Sequence, residues 1–305
     1  MGWATTPTST TVTYKDKANV TNIAIANGTI NLYAVWEKIN GYFWIMLRDG
    51  YTYSYDKNGN LLSKTATNGQ FTIPATGSYT LELHGGGGCG GYGKEVEHSS
   101  VTCSTYSLTG GAGGGGSGNI ETVVLQKNEV FNVKIGIGCY YTSYFESYQG
   151  WIYTYHDSAN DKQTSFSNTS TTYSVEGGAS ATGTTPGAGS GNIASSGKAA
   201  STVSSKSDSR ICNGNPNQSD DGIGGSGGLS SFASRYSNIS LVAYTHTIHY
   251  YTNTNWIKST TNRYYGDGGF GGVTFHEITN GTNGHARTNG ATGADGAIIL
   301  IYNGE

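Results

Sequence analysis

Charge is scarce in this chain of 305 residues: charged side chains make up 12% and the formal net charge is −3. No basic stripe is available for a phosphate backbone or an anionic membrane surface, so nucleic acid is excluded as a partner. Long apolar runs are missing too. The mean hydropathy is −0.39, and nothing approaches the roughly 20 residues a spanning helix requires, which argues against membrane insertion. No basic-then-apolar leader follows Met1-Gly2-Trp3, so the sequence reads as a fragment of something longer. Proline occurs only 4 times and glycine keeps no strict three-residue period, which excludes collagen. The 4 cysteines, Cys89, Cys103, Cys139 and Cys212, include no C-x-x-C pair, so a zinc or thioredoxin-type site has no support. Disulfides of undetermined connectivity and free buried thiols both stay open.

Motifs for catalysis are absent as well. A Gly-x-Gly-x-x-Gly string occurs trivially within residues 113–118, but no helical pattern follows it. Gly197-Lys198-Ala199 lacks the Ser or Thr of a phosphate loop. The closest histidines, His246 and His249, have no acidic or thiol third ligand nearby. His276-Glu277 and Asp220-Asp221 are adjacent residues, which in strands point to opposite faces. The sequence therefore calls for no enzyme, no metal and no cofactor. Asn-x-Ser/Thr sequons occur, for example Asn19-Val20-Thr21 and Asn168-Thr169-Ser170, and in a chain this rich in Asn, Ser and Thr most of them are chance matches.

Glycine and tyrosine are what the chain has in excess, with 48 and 23 residues. Aromatics at 12%, interleaved with Ile, Val and Leu at strand-like spacing, argue against a disordered polymer. Residues 2–36 alternate apolar and polar positions around an Asn27-Gly28 turn and read as short strands. Over residues 41–69, two apolar runs flank Asp56-Lys57-Asn58-Gly59-Asn60, which predicts a hairpin with a tight Asn-Gly turn. From residue 70 onward, glycine motifs alternate with polar aromatic stretches, and strands are expected at 71–73, 79–84, 123–125, 131–135 and 297–302. Glycine loses more backbone freedom on ordering than any other residue, so runs of it persist in a folded domain only where nothing larger fits. Extended three-residue-per-turn segments have no internal hydrogen bonds, and polyglycine copies can satisfy one another if no side chain intervenes. A bundle of polyglycine II segments is the expected scaffold.

Several resemblances follow from these residues. The opening Gly2-Trp3 and the closing Leu32-Tyr33-Ala34-Val35-Trp36 resemble the second half of an internalin-B-type B repeat, a small β-grasp unit of bacterial surface and some phage tail proteins. Residues 51–60 faintly resemble one tyrosine-aspartate repeat. The Ile73-Pro74-Ala75-Thr76-Gly77-Ser78-Tyr79 entry, the glycine run after Leu83-His84, the strands at 123–127 and 133–136, and the Ala297-Ile298-Ile299-Leu300-Ile301-Tyr302 ending are similar to the glycine-rich domain of anaplastic-lymphoma-kinase-type receptors and its bacterial and phage relatives. That resemblance implies an antiparallel jelly-roll-like sandwich carrying inserted polyglycine II helices. Glycine-rich tail-tip adhesins of T-even phages resemble the chain in alternating glycine motifs with variable loops. The expected organisation is half of a β-grasp repeat over 1–38, a β-hairpin connector over 39–69 and a glycine-rich domain over 70–305, all-β throughout.

Two aromatic clusters stand out from this frame. The first holds Tyr140, Tyr141, Tyr144, Tyr148, Trp151, Tyr153 and Tyr155, and the second Tyr250, Tyr251, Trp256, Arg263, Tyr264 and Tyr265. Their remaining positions are mainly Ser, Thr, Asn and His. Binding loops of this composition use tyrosine for large contact area at low entropy cost, with Ser and Asn supplying adaptable hydrogen bonds. These residues are expected to contact a cell-surface glycan or protein, which makes the chain an extracellular adhesin of a bacterial surface or virion tail. A spacer or assembly module of a stalk or fibre is the alternative. The oligomeric state is not specified by the sequence.

Overall fold

A computed structural model describes the chain except residues 1, 8, 10, 16–17, 25–26, 36–43, 57, 93, 100–103, 110, 147–149, 200–201, 208–220, 223–224, 233–241, 253–254, 272–273, 280–281, 288–289 and 305. It divides into two compact units, Met1–Tyr42 and Phe43–Glu305. In the first, β1 (Gly2–Ala4) lies between β2 (Tyr14–Lys15) and β3 (Tyr33–Val35) in a small antiparallel sheet. The strands foreseen there exist, but β2 and β3 pair with β1 and not with each other. Asn27, at φ 59°, thus belongs to a long connection instead of a tight hairpin.

The second unit opens with β4 (Trp44–Arg48), β5 (Tyr51–Tyr55), β6 (Leu61–Ala66), β7 (Gln70–Thr72) and β8 (Gly77–His84). It continues with β9 (Lys94–Ser99), β10 (Ser104–Thr109), β11 (Asn119–Leu125), β12 (Val130–Lys134), β13 (Tyr140–Glu146) and β14 (Gly150–His156). A four-residue helix, α1 (Ala159–Lys162), precedes β15 (Thr164–Ser167), β16 (Thr172–Val175), β17 (Thr202–Ser207) and β18 (Asp221–Gly222). The last strands are β19 (Tyr244–Thr252), β20 (Asn255–Arg263), β21 (Thr274–Thr279), β22 (Thr282–Arg287) and β23 (Ala297–Gly304). All five strand positions expected from the sequence are occupied. Among the described residues no helix is long and apolar enough to cross a membrane.

A six-stranded sheet in the order β11-β8-β23-β4-β5-β6 and a four-stranded sheet in the order β16-β15-β12-β7 form the body, with every neighbouring pair antiparallel. Their facing sides share one core, in which Ile45, Leu47, Leu81, Leu83, Ile298 and Leu300 meet Phe131, Phe166 and Val175. The opposite face of the larger sheet is covered too, with Trp44, Met46, Ala297 and Ile299 packed against Phe232 and Tyr265. Burial on both faces explains why β4 and β23 read as continuous apolar runs without alternation. The segment 39–69 is therefore no connector: its strand β4 pairs with β23, register Leu47 to Ile298, in the middle of the sheet. The β4–β5 turn places Asp49 at φ 51° and Gly50 at φ 76°, as a two-residue hairpin turn of the twist-matched kind requires. At the β5–β6 turn, by contrast, the Asp56 carboxylate accepts from the Asn58 and Asn60 amides, so the connection is a longer one with Gly59 alone at positive φ among its described residues.

Glycine segments continue the strands of this sandwich: residues 85–91 extend β8, 111–118 lead into β11, and 290–296 lead into β23. Residues 85–91 and 111–118 are buried throughout. Their hydrogen bonds repeat every third residue. The amides of Ala112, Gly115 and Gly118 donate to the carbonyls of Gly183, Ala179 and Ser190; those of Gly113 and Gly116 donate to Lys198 and Ser195; those of Gly114 and Ser117 donate to Gly269 and Gly266. One segment thereby binds three others, each along its own side, which is the three-residue period of polyglycine II. A Cβ on Gly87 would stand 2.0 Å from the Asp267 carbonyl oxygen, and one on Gly114 would stand 2.1 Å from that of Gly88. Both obstacles are backbone. The junction with the sandwich is polar and closed: Thr164 Oγ1 donates to the His84 carbonyl (2.6 Å) and accepts from the Gly136 amide (2.8 Å).

Candidate functional site

Both aromatic clusters form antiparallel ribbons. Strands β13 and β14 pair with register Tyr141 to Tyr155, Ser143 to Tyr153, Tyr144 to Ile152 and Phe145 to Trp151. Strands β19 and β20 pair with register Tyr250 to Ile257 and Tyr251 to Trp256. Among the described residues, neither ribbon shares a strand with any other sheet. Runs of β-branched and aromatic residues favour such strands. Tyr148, also expected at the site, lies outside the described residues.

The ribbons stand on the glycine bundle. Cys139, just before β13, is bonded to Cys89 within the 85–91 segment, with both cysteines buried. The Cys139 amide donates to the Gly87 carbonyl and its carbonyl accepts from the Gly293 amide, both at 2.9 Å. Cys103 and Cys212 lie outside the described residues. At the foot of the second ribbon, the Tyr244 hydroxyl donates to the Thr292 carbonyl and the Ala243 amide to the Arg263 carbonyl. The stretch 290–296 thus holds both feet.

Arg263 and Tyr265 do not act as the sequence suggested. Arg263 is 2% exposed and Tyr265 4% exposed, so neither offers the broad contact surface expected of it, although Tyr265 contributes to the wall of a cavity at the ribbon's foot. The Arg263 guanidinium donates to the Gly268 carbonyl (2.6 Å), lies over the Phe270 ring at 4.2 Å and approaches Asp267 Oδ2 at 4.0 Å. Asp267 in turn accepts from the Ser230 amide and hydroxyl and from the Tyr264 amide. Burial pushes the Arg263 guanidinium down and the Asp267 carboxyl up from their ordinary values, so the pair is held by the fold at a cost. The Tyr265 hydroxyl donates to Asp49 Oδ2 (3.0 Å) and accepts from Arg48 (2.7 Å), and burial pushes its phenol pKa up. Tyr264 is half-buried. These three residues build the second ribbon's foot.

Between the two feet opens a cavity of about 490 Å³, lined among others by Asp49, Tyr140, Tyr244, Tyr265, Gly293 and Asp295. Its size falls within the range of roughly 300–1,000 Å³ common for small-molecule sites. Tyr140 is 42% exposed, and one face of its ring stacks on His156 with centroids 4.4 Å apart. The Asp295 carboxylate accepts from the Gly138 amide at 2.7 Å. Water reaches this carboxyl, but the protein walls around it push its pKa up, and the charge of Asp49 adds to the effect. Burial likewise raises the Tyr244 phenol. Among the described residues no group of three or more His, Cys, Asp or Glu is placed to hold a metal ion.

The cavity brings together Tyr140 and Tyr265 of the expected set, and Tyr244 from the start of the second aromatic stretch, with Asp49 and Asp295, which the sequence did not single out. Asp49 comes from a turn in the segment expected to be a connector, and Asp295 from inside a glycine motif. Composition around those positions carries no signal of a site. No protein-family model matches the chain and no curated protein matches it.

Proposed function

We propose that the protein is a receptor-binding adhesin of a bacterial surface or phage tail, recognising a cell-surface glycan or protein through its two tyrosine-rich ribbons. One observation carries the reading: the feet of both ribbons are anchored on a single glycine bundle, on either side of one cavity, an arrangement that favours a preset spacing between them. Preorganisation of this kind lowers the entropic cost of binding. The disulfide under the first ribbon favours an oxidising compartment. The resemblance to glycine-rich receptor domains and phage tail-tip adhesins points the same way.

Trp151 and Trp256 are the residue type in which binding energy concentrates. Replacing either by alanine in the full chain should weaken attachment to whole cells by about thirtyfold, roughly 2 kcal/mol, with little change in melting temperature. Binding measured on panels of bacterial and eukaryotic cells, paired with calorimetric melting, checks both halves. Unchanged attachment by both variants would leave the spacer role as the better reading.

A further inference from the structure

The cavity between the ribbon feet has an unequal hydrogen-bond inventory. Two of its donors are already engaged, since the Tyr244 hydroxyl donates to Thr292 and the Tyr265 hydroxyl to Asp49. Acceptors remain in excess. Asp295 takes the Gly138 amide, and its carboxylate makes no other hydrogen bond among the described residues. Asp49 carries a second carboxylate, partly balanced by Arg48 at 2.6 Å. A ligand satisfying this cavity brings donors and no negative charge. The wall supplies one flat apolar surface, because Tyr140 has one ring face on His156 and remains 42% exposed. Hydroxyls or an ammonium directed at carboxylates, combined with apolar C–H groups laid on an aromatic ring, describe a pyranose.

We infer that the cavity lined by Asp49, Tyr140 and Asp295 binds one neutral or amino hexose unit of a glycan and rejects acidic sugars. In this arrangement Asp295 accepts from sugar hydroxyls or an amino group, and Tyr140 stacks on the ring. Asp295 and Asp49 together disfavour carboxylate-bearing sugars by repulsion, with Asp49 the weaker of the two because Arg48 pairs with it. The inference rests on the adhesin reading for its biological setting, but the cavity is a separate site from the ribbon arms.

The test uses the full chain and saturation-transfer NMR with D-glucose, D-galactose, D-glucosamine, N-acetylneuraminic acid and butylamine as probes. At least one of the three hexoses should bind saturably, N-acetylneuraminic acid should not, and butylamine should bind more weakly than the hexose that binds. Asp295→Asn keeps an oxygen for the Gly138 amide but lowers the charge, and should weaken hexose binding by about tenfold. Tyr140→Ala should weaken it similarly, with the melting temperature of each variant confirming that it folds. The inference fails if no hexose binds, if the acidic sugar binds as well as the neutral ones, if butylamine matches glucosamine, or if both variants bind like the parent. Attachment to cells without hexose binding would sink this site and leave the adhesin reading standing. Hexose binding without attachment to any cell would do the reverse.

Discussion

A carboxyl group whose pKa is raised by folding subtracts stability once it ionises, and Asp295 is such a group. Between the ordinary carboxyl value of 3.8 and its raised folded value, the native state binds more protons than the unfolded chain, so stability falls as pH rises through that window. Asp295→Asn should therefore melt at the same or a higher temperature than the parent near pH 7, with the difference shrinking as pH falls to roughly 3. Scanning calorimetry across that range checks the sign. Arg263 gives the opposite outcome. Removing one member of a buried ion pair strands the other, so Arg263→Ala should cost about 3 kcal/mol of stability, seen as an earlier denaturant midpoint. Neither role was legible in the sequence. An arginine among tyrosines has the composition of a contact surface, and only the fold shows that Gly268, Phe270 and Asp267 enclose it.

At the scale of elements, the glycine segments were the most legible part of the chain. Glycine's cost on ordering leaves close backbone approach as the reason to keep it in runs, and the observed hydrogen bonds bear this out with their three-residue repeat. Gly87→Val sets a side chain against the Asp267 carbonyl, backbone that cannot swing aside. The expected loss is about 1–3 kcal/mol, seen as a melting temperature lower by several degrees. Strands were legible for a related reason: alternation and apolar runs state burial directly. The tyrosine stretches were not, because a tyrosine suits a core, a half-buried sheet face and a binding surface equally well. Tyr79 and Tyr265 are buried at 1% and 4% exposure, whereas Tyr140 is open at 42%.

For the whole molecule, the division between Met1–Tyr42 and Phe43–Glu305 differs from the boundary read in the sequence. The hairpin β4–β5 has the look of an independent module, since local patterning carries no trace of a partner strand some 250 residues away in the register from Leu47 to Ile298. Removing residues 1–42 should leave the main melting transition of the remainder where it was. Removing residues 297–304 should abolish that transition, because Ile298, Ile299 and Leu300 serve the cores on both faces of the larger sheet. Calorimetry of the two truncations separates these outcomes.

The position of β23 between β8 and β4 also governs the order of events as the chain leaves the ribosome. Until the last strand emerges, β4 and β8 each show an open edge where β23 will dock, with apolar residues waiting on both faces. Contacts this distant in sequence form slowly, and unpaired edges invite pairing with other chains. The larger sheet therefore passes its most aggregation-prone stage before β23 is made, and closes only once residues 297–304 have been synthesised.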